Sequence, residues 1–548
     1  MGYGSEAGVC GMPPQNEQGL TQHVQPGSDR RTEVEPVSRL LSTAQAKKAG
    51  PPPDHAIRQM GRRKFLLAGT ATAALIGVPL KGLLGDSRPT AHAATASVTV
   101  DPSLVGEWTA PINLGLISIH AVMLHTGQVL LFSYPQNTVG SAASLWDPIS
   151  GTLADVSLTY QRDVFCTGMS VLPDGRVFMA GGHVYQGVYG YGVTNTTIFD
   201  PSSNSWTEGP LMSQPRWYPT TTGLGDGTVM IFAGTIVPGT AATTIDHYDP
   251  SSNAITTLPS TSDKAMGVYP RMKLTTTGLL AWTNLGRTWY LNPATSAWQG
   301  GPKLESASRG NQESSVLLPG LTKIMEIGGH ISTGTTNTAE ILDLSSSTPA
   351  WHYTAPMTYP RLWANSVLLA DGTVLVVGGG RTGYYGNPVF IPELYDPVAG
   401  TWTQMAAHAA PRMYHSTAVL LPDGRVLSAG ESSGRLERTG EIFSPPYLFA
   451  GPRPTITSAP ASLGYNQQFS ISTPDYANIT RVALVKASSV THSNNFDQRY
   501  VDVTFRSGGS GGLAATSPPD SNHAPPGWYM LFILNNGVPS VASWVQVG

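Results

Sequence analysis

The sequence predicts an all-β protein on three observations: an internal repeat of about fifty residues, Asp-Gly pairs between short apolar runs, and a composition suited to many turns. Its 548 residues include 60 glycines and 44 prolines, whereas Lys, Arg, Asp and Glu together make up 12%. A coiled coil or long-helix protein would be rich in Glu, Lys and Ala, so that class is excluded. The net charge of −3 provides no basic surface for phosphates, and no nucleic-acid partner is expected.

The repeat extends from Trp108 to about Pro446. Each unit contains an apolar strand, an Asp-Gly pair, a second apolar strand ending in Gly-Gly, and a third strand ending near Asp-Pro. The markers of the third strand fall at Asp147, Asp200, Asp249, Asn292, Asp343, Asp396 and Ser444. Seven units of four short strands predict a seven-bladed kelch-type β-propeller, expected to occupy residues 94–450.

The seventh unit lacks an outer strand like Ser205-Trp206-Thr207 of an earlier unit. Glu107-Trp108-Thr109, which precedes the first unit, has the same pattern. We therefore expect the N-terminal segment to complete blade seven, because this closes the ring and leaves no open strand edge.

Residues 451–548 are expected to form an immunoglobulin-like β-sandwich. They begin with the linker Gly451-Pro452-Arg453-Pro454, after which apolar and polar residues alternate. Val501, Val503 and Phe505 then share one strand face. About a hundred residues of short strands and Gly/Pro turns are typical of that fold.

Residues 1–59 are polar and show no hydrophobic period, so they are expected to be disordered. A second interpretation is that Met60 is the true start and that these residues are a mis-called extension.

Residues 60–93 are predicted to be a twin-arginine signal peptide. The arginine pair at 62–63 precedes the apolar run Phe65–Leu80, which is shorter than the about 20 residues that span a membrane. Ala91-His92-Ala93 has the small-x-small form of a cleavage site. The mature chain is therefore expected to be secreted or located at the cell surface. An uncleaved membrane anchor is the alternative.

Export changes the interpretation of the two cysteines. Cys10 would be removed with the leader, so Cys166 would be the single cysteine of the exported chain and no intramolecular disulfide could form. A lone thiol in an exported protein indicates a reactive or modified residue. The alternative is a small buried hydrophobic residue.

Four segments depart from the repeat, and three of them begin blades, where the innermost strands approach the central pore. They are residues 163–168, 215–220, 412–416 and 490–494. Together they contain one thiol, two phenols and two imidazoles. Imidazole suits copper, and tetragonal N,O coordination is typical of Cu(II), so the set is a candidate transition-metal site.

The chain resembles the copper radical oxidases, the family that contains galactose oxidase and glyoxal oxidase. The resemblance covers nearly the whole mature chain. The matching motifs are Phe165-Cys166, Arg216-x-Tyr218, Tyr414-His415 followed by Leu-Pro-Asp-Gly-Arg-Val at 421–426, Thr491-His492 followed by Asp-Gln-Arg at 497–499, and the Pro-Gly-Trp-Tyr-Met-Leu-Phe run around Trp528.

The resemblance implies a role for each matching residue. Tyr218 would be a copper ligand joined by a thioether to Cys166, His415 and His492 the imidazole ligands, and Tyr414 the axial phenol and base. His492 would lie on a hairpin inserted into the propeller pore. Cu(II) and the cross-linked tyrosyl radical would oxidise a small aldehyde or primary alcohol by two electrons, O2 would yield H2O2, and no organic cofactor would be needed.

Several departures concern the substrate. Ile236 occupies the place of a tryptophan that covers the cross-linked tyrosine in galactose oxidase, and Tyr269-Pro270 replaces a Tyr-Arg pair that helps to hold the sugar. If the mature chain starts near Ala94, as expected, no room is left for a carbohydrate-binding domain before blade one. These features favour the glyoxal oxidase branch and its bacterial relatives over galactose oxidation. Trp217, Trp282 and Trp363 stay open as alternatives for the covering ring.

Two other functions compete with the oxidase. A non-catalytic kelch propeller could bind a cell-surface glycan or protein through tyrosines on exposed loops, namely Tyr185, Tyr189, Tyr191, Tyr384 and Tyr385. A hydrolytic propeller would need a pair of carboxylates around the scissile bond. The complete set of one Cys, two Tyr and two His in matching contexts favours the oxidase. The other histidines considered, His120, His125, His183 and His330, are interpreted as structural. A monomer is expected because nothing marks an interface.

Overall fold

Strands dominate the part of the chain that the structure, a computed structural model, describes. This part comprises residues 101–136, 138–187, 190–432, 436–508 and 511–548. Its helical segments are short: the α-helix Pro102–Val105 and the 3-10 turns Ser260–Ser262, Pro446–Phe449 and Tyr476–Asn478. None of the helical segments in this part of the chain has the length and apolar character of a membrane-spanning helix. The predicted extension and signal peptide lie outside the described residues.

The first six blades are four-stranded antiparallel sheets around a central pore. Blade one consists of His120–Met123, Val129–Phe132, Ala143–Trp146 and Leu153–Asp155, and blade two of Gly168–Val171, Val177–Ala180, Thr196–Asp200 and Ser205–Glu208. Blade three consists of Thr220–Gly223, Val229–Phe232, Asp246–Asp249 and Ala254–Thr257, and blade four of Met272–Leu274, Leu280–Trp282, Arg287–Asn292 and Ala297–Lys303. Blade five consists of Ser314–Leu317, Lys323–Ile327, Ala339–Asp343 and Trp351–Tyr353, and blade six of Asn365–Leu368, Val374–Val377, Glu393–Asp396 and Thr401–Gln404.

Among the described residues, three short hairpins branch from blades three, five and six. Their strand pairs are Thr235–Val237 with Thr240–Ala241, His330–Ile331 with Gly334–Thr335, and Gly380–Thr382 with Gly386–Pro388. The last pair, here called the blade-six hairpin, carries Tyr384 and Tyr385 in its turn.

The N-terminal segment completes blade seven, as predicted. Ser416–Leu420, Val426–Gly430 and Thr439–Ser444 form its first three strands, and Glu107–Trp108 and Ile112–Asn113 pair with the third. The Trp108 indole donates to the Ala406 carbonyl of blade six at 2.8 Å. Tryptophans of other outer strands bond to the preceding blade in the same way. The sequence prediction of an all-β, seven-bladed propeller is therefore confirmed.

The Gly-Gly pairs allow neighbouring blades to approach closely. Gly181 has φ +75°, and a Cβ there would lie 2.2 Å from the Arg216 carbonyl oxygen. Gly378 has φ +70°, and its Cβ would lie 2.1 Å from the Arg412 carbonyl oxygen. Only glycine fits such positions, so the Gly-Gly pair of one blade sets the path of the segment that begins the next.

Buried arginines fix these blade starts from the other side. Arg216 pairs with Asp246, Arg361 with Glu393 and Arg412 with Glu441, each at 2.9 Å, and all six side chains are fully buried. Each arginine also donates to a carbonyl at the end of the second strand of its own blade. Tyr218 and Tyr414 follow such arginines by two residues, so the ion pairs hold the backbone that carries them.

The C-terminal domain is a β-sandwich, which confirms the second half of the fold prediction. Its strands are Ser462–Leu463, Gln468–Ser472, Arg481–Lys486, Tyr500–Ser507, Gly512–Thr516, Gly527–Asn535, Val538–Pro539 and Ser543–Val547. Val501 and Val503 are buried and Phe505 packs against the same apolar cluster, so this strand has the predicted inward face.

A hairpin from the C-terminal domain enters the propeller pore. Its strands, Ser489–Thr491 and Asn494–Asn495, extend the sheet of blade one, where Thr491 pairs with His120 and Ser489 with Val122. The hairpin also contacts the innermost strands of blades two, five, six and seven. Its turn contains His492.

Candidate metal centre

The pore brings together all five residues that the sequence singled out. Cys166, Tyr218, Tyr414, His415 and His492 each expose at most 2% of their surface. The two phenol oxygens are 2.9 Å apart, and the Cys166 sulfur is 3.5 Å from the His492 Nε2. One ligand atom from each of Cys166, His415 and His492 lies within 4.8 Å of the other two.

The backbone at these residues has an uncommon conformation. Cys166, Tyr218, His415 and His492 have φ values of +57°, +64°, +68° and +49°. A bulky residue in this left-handed region costs about 1–3 kcal/mol and persists only where its surroundings impose it. Such residues cluster at functional sites, so the concentration here indicates a site rather than an ordinary core.

The segments that begin blades two and three are joined by a backbone hydrogen bond at Cys166 and Tyr218. The Tyr218 N–H donates to the Cys166 carbonyl at 2.9 Å. The Cys166 N–H in turn donates to His120 Nε2 at 3.1 Å. Burial lowers the pKa of His120 to about 3, so its ring is neutral and can accept this bond. His120 is thus structural, as expected, but the group it holds is Cys166.

Both site imidazoles are held at Nδ1 by a hydroxyl group. Thr491 Oγ1 donates to the Ile119 carbonyl at 2.8 Å and therefore accepts from His492 Nδ1, 2.6 Å away. Nδ1 of His415 bonds to Ser432 Oγ, while its buried Nε2 has no hydrogen-bond partner among the described residues. Burial and neighbouring imidazoles hold the pKa of both histidines well below the usual range. Neutral rings whose Nδ1 is held in this way can present Nε2 to a metal.

The donor set fits a copper ion. Two imidazole nitrogens and two phenol oxygens are the N,O ligands that Cu(II) prefers, and the orphaned Nε2 of His415 points to a missing partner. Burial and the nearby Cys166 raise the pKa of Tyr414 well above its usual value. A bound cation would act in the opposite direction and favour the phenolate.

Aromatic rings surround the two phenols. Trp217 packs edge-on against Tyr218, with ring centroids 4.3 Å apart, and Trp363 packs against Tyr414 at 4.7 Å. Trp282, in contrast, lies in the core of blade four and donates to Asn284. Of the three tryptophans that the sequence left open, Trp217 and Trp363 therefore lie at the site and Trp282 does not.

Two of the loop tyrosines belong to the wall of the site. Tyr384 stacks on Trp363 at 5.6 Å, and its ring lies 4.9 Å from that of Tyr414. The Tyr385 ring lies 5.9 Å from Tyr414. Tyr189 lies outside the described residues. The packing of Tyr384 and Tyr385 weakens the alternative in which these rings form a separate glycan-binding surface.

Further residues support the site from the start of blade four, and the sequence analysis did not predict them as site residues. Tyr269 lies 5.0 Å from the Tyr218 ring and 4.9 Å from His492, and its hydroxyl donates to the Thr167 carbonyl at 3.0 Å. Arg271 pairs with Glu313 at 3.0 Å and donates to the His492 carbonyl at 3.4 Å. Tyr269-Pro270 repeats the Tyr-Pro of residues 218–219, and this repeat was the available signal.

The other histidines have structural contacts. His125 stacks on Trp528 at 4.5 Å, and His183 accepts the Gly190 N–H at 3.1 Å. His330 begins a strand and its N–H donates to the Arg309 carbonyl.

Residues 141–440 match the family model described as glyoxal oxidase N-terminus, and residues 453–547 match the galactose oxidase-like early set domain. The first match alone covers more than half of the chain. The chain belongs to the copper radical oxidase family of galactose and glyoxal oxidases. Among the relatives of this copper radical oxidase is a galactose oxidase of Gibberella zeae, 30% identical over 82% of this chain and 72% of the relative.

Two further relatives have other substrates in their names. The chain is 29% identical to the aldehyde oxidase GLOX of Vitis pseudoreticulata over 82% of its own length and 99% of that protein. A solved fungal alcohol oxidase of the AA5 family, in complex with copper, superposes with a TM-score of 0.69 and 26% identity, over 81% of this chain and 99% of that one.

Proposed function

We propose that the protein is a mononuclear copper radical oxidase that converts small primary alcohols or aldehydes by two-electron oxidation and reduces O2 to H2O2. The observation that carries this proposal is the meeting of two phenols, two neutral imidazoles and one thiol, all buried, at one site. Tyr218, Tyr414, His415 and His492 would hold the copper ion. Membership of the oxidase family supports the same reaction class.

We infer that Cys166 and Tyr218 are joined by a thioether. The bond would link the sulfur to the ring carbon next to the Tyr218 hydroxyl. It would remove the thiol hydrogen and one ring hydrogen, and O2 would take up both with their electrons as H2O2. Two observations support the pairing. A backbone hydrogen bond joins the two residues, and both have a left-handed backbone conformation.

Bound copper together with the oxidised, cross-linked tyrosine would supply two oxidising equivalents. Tyr414 would accept the proton of the substrate hydroxyl, because its oxygen lies 2.9 Å from that of Tyr218 and faces the same space. The two imidazoles, held at Nδ1, would keep the ligand geometry fixed. Phe165, whose ring lies 5.5 Å from that of His415, would exclude bulk water together with Trp217 and Trp363.

The wall of the site supports a preference for small substrates. Three aromatic side chains, Trp217, Trp363 and Tyr384, pack against the two phenols. A hexose site requires several polar groups, since a sugar hydroxyl without a partner costs about 1–3 kcal/mol. We therefore expect small aldehydes and simple primary alcohols to be better substrates than galactose. The relatives named for aldehydes and alcohols support this class.

A peptide mass map combined with an oxidase assay tests the proposal. The protein is produced without metal, then incubated with copper and air. We expect the Cys166 and Tyr218 peptides to merge into one species that is two hydrogens lighter, and H2O2 to form with small aldehydes. Cys166→Ser is the matched control, which should bind copper without cross-linking. A thiol that stays alkylatable while copper is bound would exclude the radical mechanism.

We also propose export through the twin-arginine route, with the protein acting as a monomer outside the cytoplasm. The arginine pair at 62–63 and the apolar run after it support this location. Replacing both arginines by lysine should retain the protein inside the cell, as measured by fractionation. An unchanged secreted fraction would contradict the proposal.

A further inference from the structure

Each of the two site imidazoles bonds to a hydroxyl group, but the two hydroxyl groups differ in their own hydrogen-bond partners. Thr491, which holds His492, donates to the main-chain carbonyl of Ile119 and is therefore fixed by blade one. Ser432, which holds His415, has the Tyr385 hydroxyl 2.9 Å from its own oxygen. The anchor behind His415 is thus a side chain in the turn of the blade-six hairpin.

We propose that Ser432 and Tyr385 are positioning residues that set the orientation of the His415 imidazole. The inference rests on the proposed function in one respect, namely that His415 is a copper ligand. It assigns to Tyr385, at the rim of the site, a role that acts through Ser432 rather than through the metal or the substrate.

The direction of the hydrogen bonds supports this role. For Nε2 of His415 to bind a metal, Nδ1 must carry the proton and donate it to Ser432 Oγ. The Ser432 hydroxyl is then free to donate to Tyr385, 2.9 Å away. A serine hydroxyl rotates easily, so its partner decides where its lone pair points. Without Tyr385, Ser432 would lose the contact that aligns it with the imidazole.

Main-chain bonds keep the three segments in register. The Tyr414 N–H donates to the Tyr384 carbonyl, and the Ser432 N–H donates to the Tyr414 carbonyl, both at 3.4 Å. These bonds link both the blade-six hairpin and the segment at Ser432 to the backbone of Tyr414. The hydrogen bonds from Tyr385 to Ser432 and from Ser432 to His415 therefore connect segments whose relative positions are set by the backbone.

Copper binding by single and double variants tests the proposal. The dissociation constant for Cu(II) is measured by competition with a chelator, and EPR reports the nitrogen couplings. We expect Ser432→Ala to weaken copper binding about 10- to 100-fold, the usual effect of removing a hydrogen-bond partner of a metal ligand. Tyr385→Phe should weaken it several-fold and change the EPR spectrum. Ser432→Thr, which keeps a hydroxyl, should restore binding.

The double variant shows whether Tyr385 acts on His415 through Ser432 or whether the two residues affect copper binding independently. If Tyr385 acts through Ser432, adding Tyr385→Phe to Ser432→Ala should change the dissociation constant no further. Tyr384→Phe is the matched control: it lies in the same turn, and its hydroxyl makes no hydrogen bond among the described residues. This control should retain the copper affinity and spectrum of the unsubstituted protein.

Two results would overturn the positioning role. One is a Tyr385→Phe variant that behaves like Tyr384→Phe, and the other is full additivity in the double variant. Failure of the proposed function is distinguished by His415→Ala: if that variant keeps the same copper affinity and nitrogen couplings, His415 is not a ligand. Melting curves of the metal-free variants show whether each one is folded.

Discussion

The hydroxyl oxygens of Tyr218 and Tyr414 lie 2.9 Å apart, although the two residues are 196 positions apart in the chain. Each follows a buried arginine by two residues, and each arginine is fixed by a carboxylate of its own blade. The same repeated device in blades three and seven thus delivers two phenols to one point in the pore. Their proposed roles differ because Cys166, the proposed partner in the thioether, forms a backbone hydrogen bond with Tyr218.

Replacing Tyr414 by phenylalanine should separate its role as base from formation of the cross-link. Tyr414→Phe removes the proton acceptor, so kcat should fall about 10²- to 10⁴-fold, the usual contribution of general base catalysis. The Cys166–Tyr218 peptide should still lose two hydrogens, because neither residue is changed. Stopped-flow kinetics and mass spectrometry provide the two measurements. An unchanged kcat would show that Tyr414 is not the proton acceptor.

The propeller could be predicted because its signals are local and repeated. Asp174-Gly175 and Gly181-Gly182 each specify a backbone conformation within a few residues, and the same pairs recur in other blades. Closure of the ring by Trp108 could be predicted because the seventh unit lacks an outer strand and the segment before the first unit has the pattern of one. The five site residues could be grouped because they carry the motifs of a known family.

The surroundings of the site depend on contacts that no local pattern encodes. Trp217 and Trp282 are equally plausible in the sequence, yet only Trp217 packs against Tyr218. Arg271 reaches the carbonyl of His492, 221 positions away, because the hairpin from the second domain passes beside blade four. The contact of Tyr385 with Ser432 likewise joins blades six and seven. Such pairings follow from the arrangement of blades and could be seen only in three dimensions.

Adding a methyl group at Gly378 should displace Tyr414 and His415, the proposed copper ligands of blade seven. A Cβ there would lie 2.1 Å from the Arg412 carbonyl oxygen, so Gly378→Ala must move the segment that carries Tyr414 and His415. Gly400→Ala is the matched control, since Gly400 has the same φ of +70° and open space around it.

The control should cost only the strain of a left-handed alanine, about 1–2 kcal/mol. Gly378→Ala should cost at least about 2 kcal/mol more and weaken copper binding, as measured by denaturant unfolding and metal titration. Equal losses in the two variants would mean that the blade-seven segment relaxes without disturbing the site.

Removing a blade-start arginine should destabilise the fold strongly. Arg412→Met leaves the fully buried Glu441 without its cation, and breaking a buried pair in this way costs about 3–5 kcal/mol. Arg176→Met tests an exposed pair, because Arg176 and Asp174 retain 32% and 49% of their side-chain exposure. That variant should lose at most about 1 kcal/mol. Similar unfolding free energies for both variants would contradict a stabilising role for the blade-start pairs.

Acid should destabilise the metal-free protein through His120. Burial lowers its pKa from 6.5 to about 3, so below pH 6.5 the unfolded state binds a proton that the folded state does not. The free energy of unfolding should therefore fall by about 1.4 kcal/mol for each pH unit between about 6 and 4 from this group alone. Asp163 acts with the opposite sign, because burial raises its pKa to about 7 and its contribution declines as the pH rises from about 4 to 7.

A difference measurement isolates the histidine from the carboxylate. His120→Gln keeps an acceptor for the Cys166 N–H but cannot titrate in this range. The stability of the variant relative to the unsubstituted protein should increase by about 1.4 kcal/mol per pH unit on acidification from pH 6 to pH 4. Urea unfolding at several pH values gives this difference, and Asp163 cancels because both proteins contain it. A difference independent of pH would mean that His120 is protonated in the folded state as readily as in the unfolded chain.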